Sequence, residues 1–389
     1  MEYGAAALEP RPTIIFDDSF APPSTMSFRA EPPYAHGSAP KTGLLLVNLG
    51  SPDQPTAAAT RRYLAEFLSD PRVVEIPRAV WWLVLHGIIL NTRPAKSAAK
   101  YATVWTPEGS PLVTGTQRLA TRLQESLGAL GHAVVVKMAM RYGNPSIPRM
   151  LDELRAQGVT RVLVLPLYPQ YAAATTASVW DGVAKWSAQA RQLPEFRFVN
   201  RYGDDPSIVQ ALADSVQRHW AVHGRAEKLV MSFHGLPERS LHLGDPYHCE
   251  CHKAARLLAE ALGLSKDAWQ VTFQSRFGKA QWLRPYTEPT LKDMAASGVK
   301  SVDVICPGFA VDCLETLEEI AQEAREAFIE AGGQRFRYIP CINDDPLAVQ
   351  AMTKIALQHL QGWPTTSEPQ AAEQAAAQRQ RALDMGAKD

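Results

Sequence analysis

Residues 228–237 read KLVMSFHGLP, a short apolar strand that ends in a histidine, a glycine and a proline. Further along the chain, residues 301–307 read SVDVICP and lead through Gly308 and Phe309 into a segment with helical spacing. Both stretches have the form of a strand that feeds a helix. In an open α/β sheet, ligands bind at the carboxyl ends of the strands. The two stretches therefore predict parallel α/β architecture with a functional edge.

Apolar runs of strand length recur along the chain, separated by amphipathic helical patterns. The runs are residues 43–49, 133–138, 161–167, 196–200, 228–233, 270–274, 301–306 and 336–340. Short strands that alternate with helices predict parallel sheets. Because each half of the chain repeats this order, we expect an α/β fold of two doubly wound, Rossmann-like domains around a central cleft.

The composition divides the chain into four predicted parts. They are a disordered N-terminal extension (1–40), a first α/β domain (41–195 plus 338–362) with an apolar lip at about 73–105, a second α/β domain (196–337) and a low-complexity C-terminal tail (363–389).

The charge balance and the cysteine content argue against several classes of protein. The 389 residues include 40 basic and 40 acidic side chains, a balance that argues against a nucleic-acid binder. Five scattered cysteines, an odd number, predict no disulfide framework and favour a reducing compartment. No run reaches the about 20 apolar residues of a membrane span, and the N-terminus lacks the order of a signal peptide. We therefore expect a cytoplasmic protein.

The strand ends carry the candidate chemistry. A neutral imidazole at His234 can accept a proton, although a histidine at a strand end is also a common structural residue. Asp312, Glu315 and Glu319 have the spacing i, i+3, i+7, which predicts one face of a helix. Such acids are often only solvated and favoured by the helix dipole. They also form a plausible path for a divalent cation.

Two further segments allow two interpretations each. The lip is either a buried core helix or an apolar surface that receives a ligand or touches a membrane, with Arg93 placed to pair with a carboxylate. Residues 166–178, rich in small side chains and hydroxyls, are either an ordinary strand end or a loop that admits a flat ligand.

Residues 248–252 read HCECH, and their two histidines and two cysteines are four candidate metal ligands. Cys249 and Cys251 lack a second pair at zinc-site spacing, so surface thiols are favoured over bound metal. No glycine-rich dinucleotide or phosphate loop follows any strand.

Seven segments, in order from about residue 41 to 362, resemble the ferrochelatase family. They are residues 43–52 (GLLLVNLGSP), 140–145 (MRYGNP), 165–171 (LPLYPQY), 232–237 (SFHGLP), 244–247 (GDPY), 274–278 (QSRFG) with Trp282 and Leu283, and 308–319 (GFAVDCLETLEE). The lip and the form of residues 168–171 look like the protoporphyrin-using, Gram-negative and mitochondrial branch.

The resemblance implies an enzyme that inserts Fe²⁺ into protoporphyrin IX, the terminal step of heme biosynthesis. By the family pattern, His234 accepts pyrrole protons or binds the incoming iron, and Glu315 is its partner across the macrocycle. Asp312 and Glu319 continue an acidic path as relays. The resemblance also places four side chains against the porphyrin: Leu49, Tyr101, Trp282 and Phe309. By the same pattern, Arg93, Arg141 and Ser275 either meet the propionates or support the site.

The resemblance also bounds cofactors and partners. Cys313 stands where some relatives carry a second histidine, and the tail has no counterpart of the cysteines that hold a [2Fe–2S] cluster in animal relatives. We therefore expect no tightly bound cofactor, with iron as substrate, and either a monomer or a homodimer. The alternatives are a coproporphyrin III ferrochelatase, another tetrapyrrole chelatase, or a two-lobed binding module without activity.

Overall fold

The computed structural model describes residues 28–33, 35–278, 280–366 and 371–388. The strands are β1 (Lys41–Ser51), β2 (Val134–Gly143), β3 (Val159–Pro166), β4 (Glu195–Phe198), β5 (Lys228–His234), β6 (Trp269–Gln274), β7 (Ser301–Ile305) and β8 (Arg335–Ile339). The helices are α1 (Ala57–Leu68), α2 (Arg78–Val84), α3 (Leu90–Val104), α4 (Pro111–Ala129), α5 (Ile147–Ala156), α6 (Ser178–Ser187), α7 (Pro206–His223), α8 (Glu238–His242), α9 (Tyr247–Ala261), α10 (Thr287–Ala296), α11 (Arg325–Glu330), α12 (Pro346–Leu360) and α13 (Ala371–Asp384).

Four shorter segments complete the described elements. Three are π-helical, at Leu85–Ile89, Ala173–Ala177 and Glu315–Ala324, and one is a 3₁₀ turn at Lys266–Ala268.

The eight strands form two parallel sheets with the same topology. The first has the order β2-β1-β3-β4 and the second β6-β5-β7-β8. In each sheet the second strand along the chain pairs on one side of the first strand, and the third strand pairs on the other side. This reversal of strand order opens a crevice for a ligand beside β1 in the first sheet and beside β5 in the second. The expected pair of doubly wound domains is confirmed.

Both faces of each sheet are covered, which explains why the strands are apolar runs rather than alternating patterns. Leu44, Leu45, Leu46 and Val47 of β1 have no exposed surface. On one side of the first sheet, β1 packs into a cluster with α5 and α6, and on the other side into a cluster with α4 and α12.

One apolar core joins the two domains. It contains Leu44 and Leu46 from the first sheet, Met231 and Phe233 from the second, and residues of α12 such as Met352. A hydrogen bond from Thr353 Oγ1 to Ser126 Oγ, 3.0 Å long, also ties α12 to α4. Residues 338–362 were expected to belong to the first domain, and α12 lies in the core that both domains share.

Strand pairing places both domain boundaries later than the sequence predicted. β4 pairs with β3, so residues 196–198 belong to the first sheet, whereas we expected the second domain to begin at 196. β8 pairs with β7 as far as Ile339, whereas we expected the return to the first domain at 338. Strand partners are tertiary contacts, and the apolar pattern alone does not contain them.

The predicted tails are only partly outside the globular body. Residues 1–27 lie outside the described residues, but Arg29 binds Asp152 through a 2.7 Å ion pair, so the end of the expected disordered extension is packed. Trp363, at the start of the expected low-complexity tail, is buried and donates to Glu195 Oε1 at 2.8 Å. The tail also contains helix α13.

The lip is buried on one face and exposed on the other. Trp81, Leu85 and Leu90 form a small separate core with α1, whereas the opposite face leaves Trp82 and Leu83 59% and 65% exposed. In the part of the chain that the structure describes, no helix has the length and apolar character needed to cross a membrane.

Candidate active site

The carboxyl ends of β5 and β6 bring His234 beside Gln274, and Gln274 connects both strands to the π-helical segment. His234 and Gln274 are paired in the parallel register. The Gln274 Nε2 group donates to the backbone carbonyl of Glu315 at 2.7 Å and to Glu319 Oε2 at 3.3 Å. This amide therefore holds the start of the acidic helix against the strand end that carries the histidine.

The ring of His234 has a fixed tautomer. Its Nδ1 lies 2.7 Å from the carbonyl oxygen of Gly235, and because a carbonyl only accepts, Nδ1 carries the proton. The Tyr247 hydroxyl donates to the His234 carbonyl at 3.0 Å and holds the backbone. In its neutral form the ring therefore has an unprotonated Nε2, which can accept a proton or bind a metal ion.

Glycine at position 235 is required by a close approach. Its nitrogen donates to the Gln274 carbonyl at 2.8 Å, and a Cβ atom would lie 2.7 Å from that same oxygen. Any larger residue would push the histidine strand away from β6. The indole of Trp282 lies 3.1 Å from that Cβ position, so Trp282 lies beside the residue that follows His234.

Glu319 is held by Ser275, which adopts a left-handed backbone conformation with φ of 63°. The Ser275 backbone nitrogen donates to Glu319 Oε1 at 2.6 Å, and its hydroxyl donates to Oε2. Burial raises the pKa of Glu319 above its ordinary value, the Ser275 hydrogen bonds and the charge of His234 oppose this, and the charge of Glu315 adds to it. The pKa of Glu319 therefore depends on the charges of both His234 and Glu315, so the three groups share one electrostatic environment.

The Glu315 side chain faces the first domain. Burial raises the pKa of three tyrosines of that domain well above the ordinary value, and the charge of Glu315 contributes to each shift. They are Tyr63 of α1, Tyr101 of α3 and Tyr168, which follows β3. Tyr63 and Tyr101 also meet edge to face, with ring centroids 6.4 Å apart. These three tyrosines, called the tyrosine wall below, therefore lie within electrostatic range of Glu315.

Asp312 does not share this site. It precedes the helix, and its Oδ1 accepts hydrogen bonds from Tyr338 at 2.5 Å and from Thr316 at 3.0 Å, while Oδ2 accepts from Asn343 at 2.8 Å. The predicted single helical face of Asp312, Glu315 and Glu319 is wrong because the chain turns at residues 310–313 before the helix begins. Asp312 fastens this turn to the end of β8.

The predicted substrate contacts occupy different surroundings. Leu49 at the end of β1 is partly exposed at the margin of the shared core, and Phe309 is partly exposed between that core and the second-domain core. Arg93 on α3 is exposed, and its guanidinium lies 4.8 Å from the ring centroid of Phe277 in the second domain. These three side chains lie on surfaces that a ligand can reach.

Arg141 is committed to a buried network. Its Nη2 lies 2.6 Å from Asp70 Oδ2, and its Nε donates to the carbonyl oxygen and the hydroxyl of Ser178 at 2.7 Å. The Tyr142 hydroxyl donates to the same Asp70 oxygen at 2.8 Å. Of the two predicted roles for Arg141, ligand contact and support of the site, this geometry fits support.

The sequence interpretation missed Tyr63, Asp70 and Gln274 as site residues. Tyr63 looks like a core residue of an amphipathic helix, and Asp70 like a turn residue after α1. Gln274 was quoted within a motif but given no role. Its position directly opposite the histidine strand was the available signal, because strand ends in a parallel sheet meet at one edge.

The HCECH segment forms the first turns of α9 instead of a tight metal cluster. Cys251 is buried in the core, Cys249 is exposed, and Glu250 is occupied by Arg201 at 2.8 Å and by the Tyr171 backbone nitrogen at 2.7 Å. Among the described residues, no group of three or more His, Cys, Asp or Glu side chains is placed to hold a metal ion.

Comparison with known proteins decides the family. The family model for ferrochelatase matches residues 41–360, which includes both sheets and the whole candidate site. This chain is a member of the ferrochelatase family. A relative from Polaromonas sp. (strain JS666), named ferrochelatase, is 62% identical over 366 residues, which cover 93% of this chain and 100% of the relative. A ferrochelatase from Methylibium petroleiphilum is 62% identical over 359 residues, 92% of this chain and 99% of the relative.

A solved chelatase shares the fold at much lower identity. The structure described as SirB from Bacillus subtilis with Fe³⁺ aligns with a TM-score of 0.51 and 13% identity, over 84% of this chain and 100% of that chain. At this identity the likeness concerns the fold, and it agrees with the two-sheet architecture of the ferrochelatase family member described here.

Proposed function

We propose that this chain inserts Fe²⁺ into protoporphyrin IX to make protoheme, the terminal step of heme biosynthesis. The observation that carries the proposal is the shared environment of His234, Glu315 and Glu319, in which Glu315 faces the tyrosine wall of the other domain. Membership of the ferrochelatase family and the names of the relatives support the reaction class.

Insertion requires a base, because the porphyrin loses its two inner N–H protons as Fe²⁺ enters. His234 is such a base in its neutral form, because its Nε2 is free while its Nδ1–H binds the Gly235 carbonyl. The same nitrogen is the atom that would bind the iron. A positioned base of this kind contributes about 10²–10⁴-fold to a rate.

Glu319 and Glu315 receive and hold charge next to that base. A carboxyl whose pKa is raised is partly protonated closer to neutral pH, so Glu319 can exchange a proton with His234. Glu315, on the side of the tyrosine wall, balances the charge of the entering cation. Ser275 supports the pair through its two donors to Glu319.

The macrocycle would lie between apolar surfaces from both domains. Leu49 and Tyr101 come from the first domain, and Trp282 and Phe309 from the second. Binding a ring of this size between rigid walls can bend it and expose the nitrogen lone pairs, a strain of about 1–5 kcal/mol supplied by the rest of the ligand. Arg93 is exposed on the lip and is the cation we assign to a propionate.

The exposed face of the lip is a candidate membrane contact. Five large apolar side chains are between 42% and 65% exposed on or just before α2 and its π-helical continuation: Ile76, Val80, Trp82, Leu83 and Ile88. A patch of this kind suits a membrane surface, which is where a poorly water-soluble porphyrin resides.

The apolar lip favours protoporphyrin IX, with two carboxylates, over coproporphyrin III, with four. The test measures metallation of each porphyrin with Fe²⁺ under anaerobic conditions by the loss of free-porphyrin fluorescence, with the His234→Ala chain as matched control. We expect iron-dependent quenching that is faster with protoporphyrin IX and absent from the control. Faster turnover of coproporphyrin III would reassign the substrate, and porphyrin binding without metallation would indicate a two-lobed binding module.

A further inference from the structure

Two histidines on α9 lie outside the site described above and have free ring nitrogens. His248 and His252 are one helical turn apart, and their ring centroids are separated by 4.5 Å at an interplanar angle of 53°. Within the described ranges, neither imidazole makes a hydrogen bond or an ion pair. Two histidines at i and i+4 on one helical face are the pair that HExxH metalloproteases use to bind zinc.

The position of this pair relates it to His234. α9 begins at Tyr247, whose hydroxyl binds the His234 carbonyl at 3.0 Å, so the first turns of α9 lie at the same sheet edge as the catalytic strand end. His248 stacks on Phe273, the residue before Gln274, with a centroid distance of 5.7 Å, and His252 is tilted against the same ring at 6.0 Å. One ring face packs on the core, and the nitrogen-bearing edges stay available.

The electrostatic surroundings also suit a cation. Burial lowers the pKa of His248, and burial together with the His248 charge lowers the pKa of His252, so both rings are neutral ligands at neutral pH. No lysine or arginine contributes to either shift. Imidazole nitrogen is a good ligand for borderline ions such as Fe²⁺, Co²⁺ and Zn²⁺.

A second pair on α7 shows what an unsuitable arrangement looks like. His219 and His223 have the same spacing, with centroids 4.6 Å apart, but His219 Nε2 is buried away from solvent. Burial lowers the pKa of His219, the charge of Asp303 opposes this, and the charges of His223 and Arg337 add to it. The α7 pair is therefore a matched control.

We propose that His248 and His252 form an open two-imidazole site for a divalent transition-metal ion and that this site supplies substrate iron to the neighbouring insertion site. Water would complete the coordination shell, which agrees with the lack of a third protein ligand in the described part of the chain. The supply role rests on the proposed ferrochelatase activity, whereas the ion-binding site does not.

Binding is tested by titrating Zn²⁺ into the metal-free chain by calorimetry, in the His234→Ala background so that the insertion site is disabled. We expect one saturable site, and a loss of affinity of about tenfold or more in His248→Ala or His252→Ala, since removal of a ligand costs at least as much as removal of an outer-sphere partner. The His219→Ala/His223→Ala and Cys249→Ser chains should bind normally. Absence of saturable binding, or equal loss in the α7 control, would overturn the site.

The supply role is tested separately in the chain with His234 intact. His252→Ala should raise the KM for Fe²⁺ several-fold and leave both kcat at saturating iron and the KM for porphyrin unchanged. An unchanged KM for Fe²⁺ in a variant that no longer binds Zn²⁺ would overturn the supply role. Because the calorimetry uses no porphyrin and no turnover, failure of this inference differs from failure of the proposed function.

Discussion

Ser275 donates two hydrogen bonds to Glu319, one from its backbone nitrogen at 2.6 Å and one from its hydroxyl, and it adopts a left-handed conformation to do so. A non-glycine residue held at positive φ usually marks a functional constraint. Here the constraint delivers two donors to a carboxyl whose pKa is raised mainly by burial. The state of Glu319 should therefore be visible in the pH dependence of stability.

Glu319→Gln should make the protein more stable than wild type at pH 7–8. A carboxyl with a raised folded-state pKa contributes stability below its unfolded-state pKa of about 4.3, and this contribution is lost as the pH rises through the folded-state pKa. The glutamine chain has no such loss, so the difference in Tm should shrink as the pH falls toward about 4. Thermal unfolding of both chains between pH 4 and 8 measures this, and a difference that grows on acidification would contradict the raised pKa.

His234→Ala should reduce iron insertion by about 10²-fold or more, because the neutral Nε2 base is lost. Porphyrin binding should be retained, since Leu49, Trp282 and Phe309 are unchanged. Anaerobic metallation kinetics and fluorescence titration of porphyrin measure the two properties separately. Turnover near the wild-type rate would remove His234 from the mechanism.

Glu315→Gln should slow turnover by about 10²-fold. The variant keeps the shape of the side chain against Tyr63, Tyr101 and Tyr168 but removes its charge. The backbone carbonyl that binds Gln274 is unaffected, so the melting temperature should change little. Single-turnover metallation at saturating porphyrin is the appropriate measurement, and a wild-type rate would assign Glu315 to packing alone.

Asp312→Ala should destabilise the protein by about 1–3 kcal/mol, because it removes the carboxylate that accepts hydrogen bonds from Tyr338, Thr316 and Asn343. The rate per folded molecule should change far less than in Glu315→Gln. Urea unfolding, combined with activity normalised to the folded fraction, distinguishes this anchoring role from a relay. A large rate loss with normal stability would restore Asp312 to the metal path.

Trp82→Ser together with Leu83→Ser should weaken binding to lipid vesicles without unfolding the lip, because both side chains point away from the small core of Trp81, Leu85 and Leu90. Burial of each large apolar side chain contributes about 1.5–3 kcal/mol. Co-sedimentation with phosphatidylglycerol and phosphatidylcholine vesicles measures the loss. Equal binding by variant and wild type would exclude this face as the membrane contact.

The sequence showed the periodic patterns of the strands and helices, but it did not show which of these elements pair with each other. Apolar runs predicted all eight strands, and the strand that ends at His234 predicted the functional edge. β4 was assigned to the wrong domain because pairing with β3 is a contact between distant segments. Asp312 was placed on a helix because its spacing fits one, although its hydrogen bonds to Tyr338 and Asn343 favour the turn. Tyr63 could not be distinguished from a core tyrosine until Glu315 was seen beside it.

The core that runs without interruption from Leu46 to Phe233 limits how the molecule can move. Two-lobed receptors that close like a clamshell need a thin, pliable connection between their halves, and here that connection is a packed apolar interior reinforced by α12. Entry of a flat macrocycle must therefore depend on local movement of the helices at the cleft opening, above all α2 and α3. The two domains keep a constant separation. Two domains held at a constant separation suit an enzyme that must bend its substrate while its own structure stays rigid.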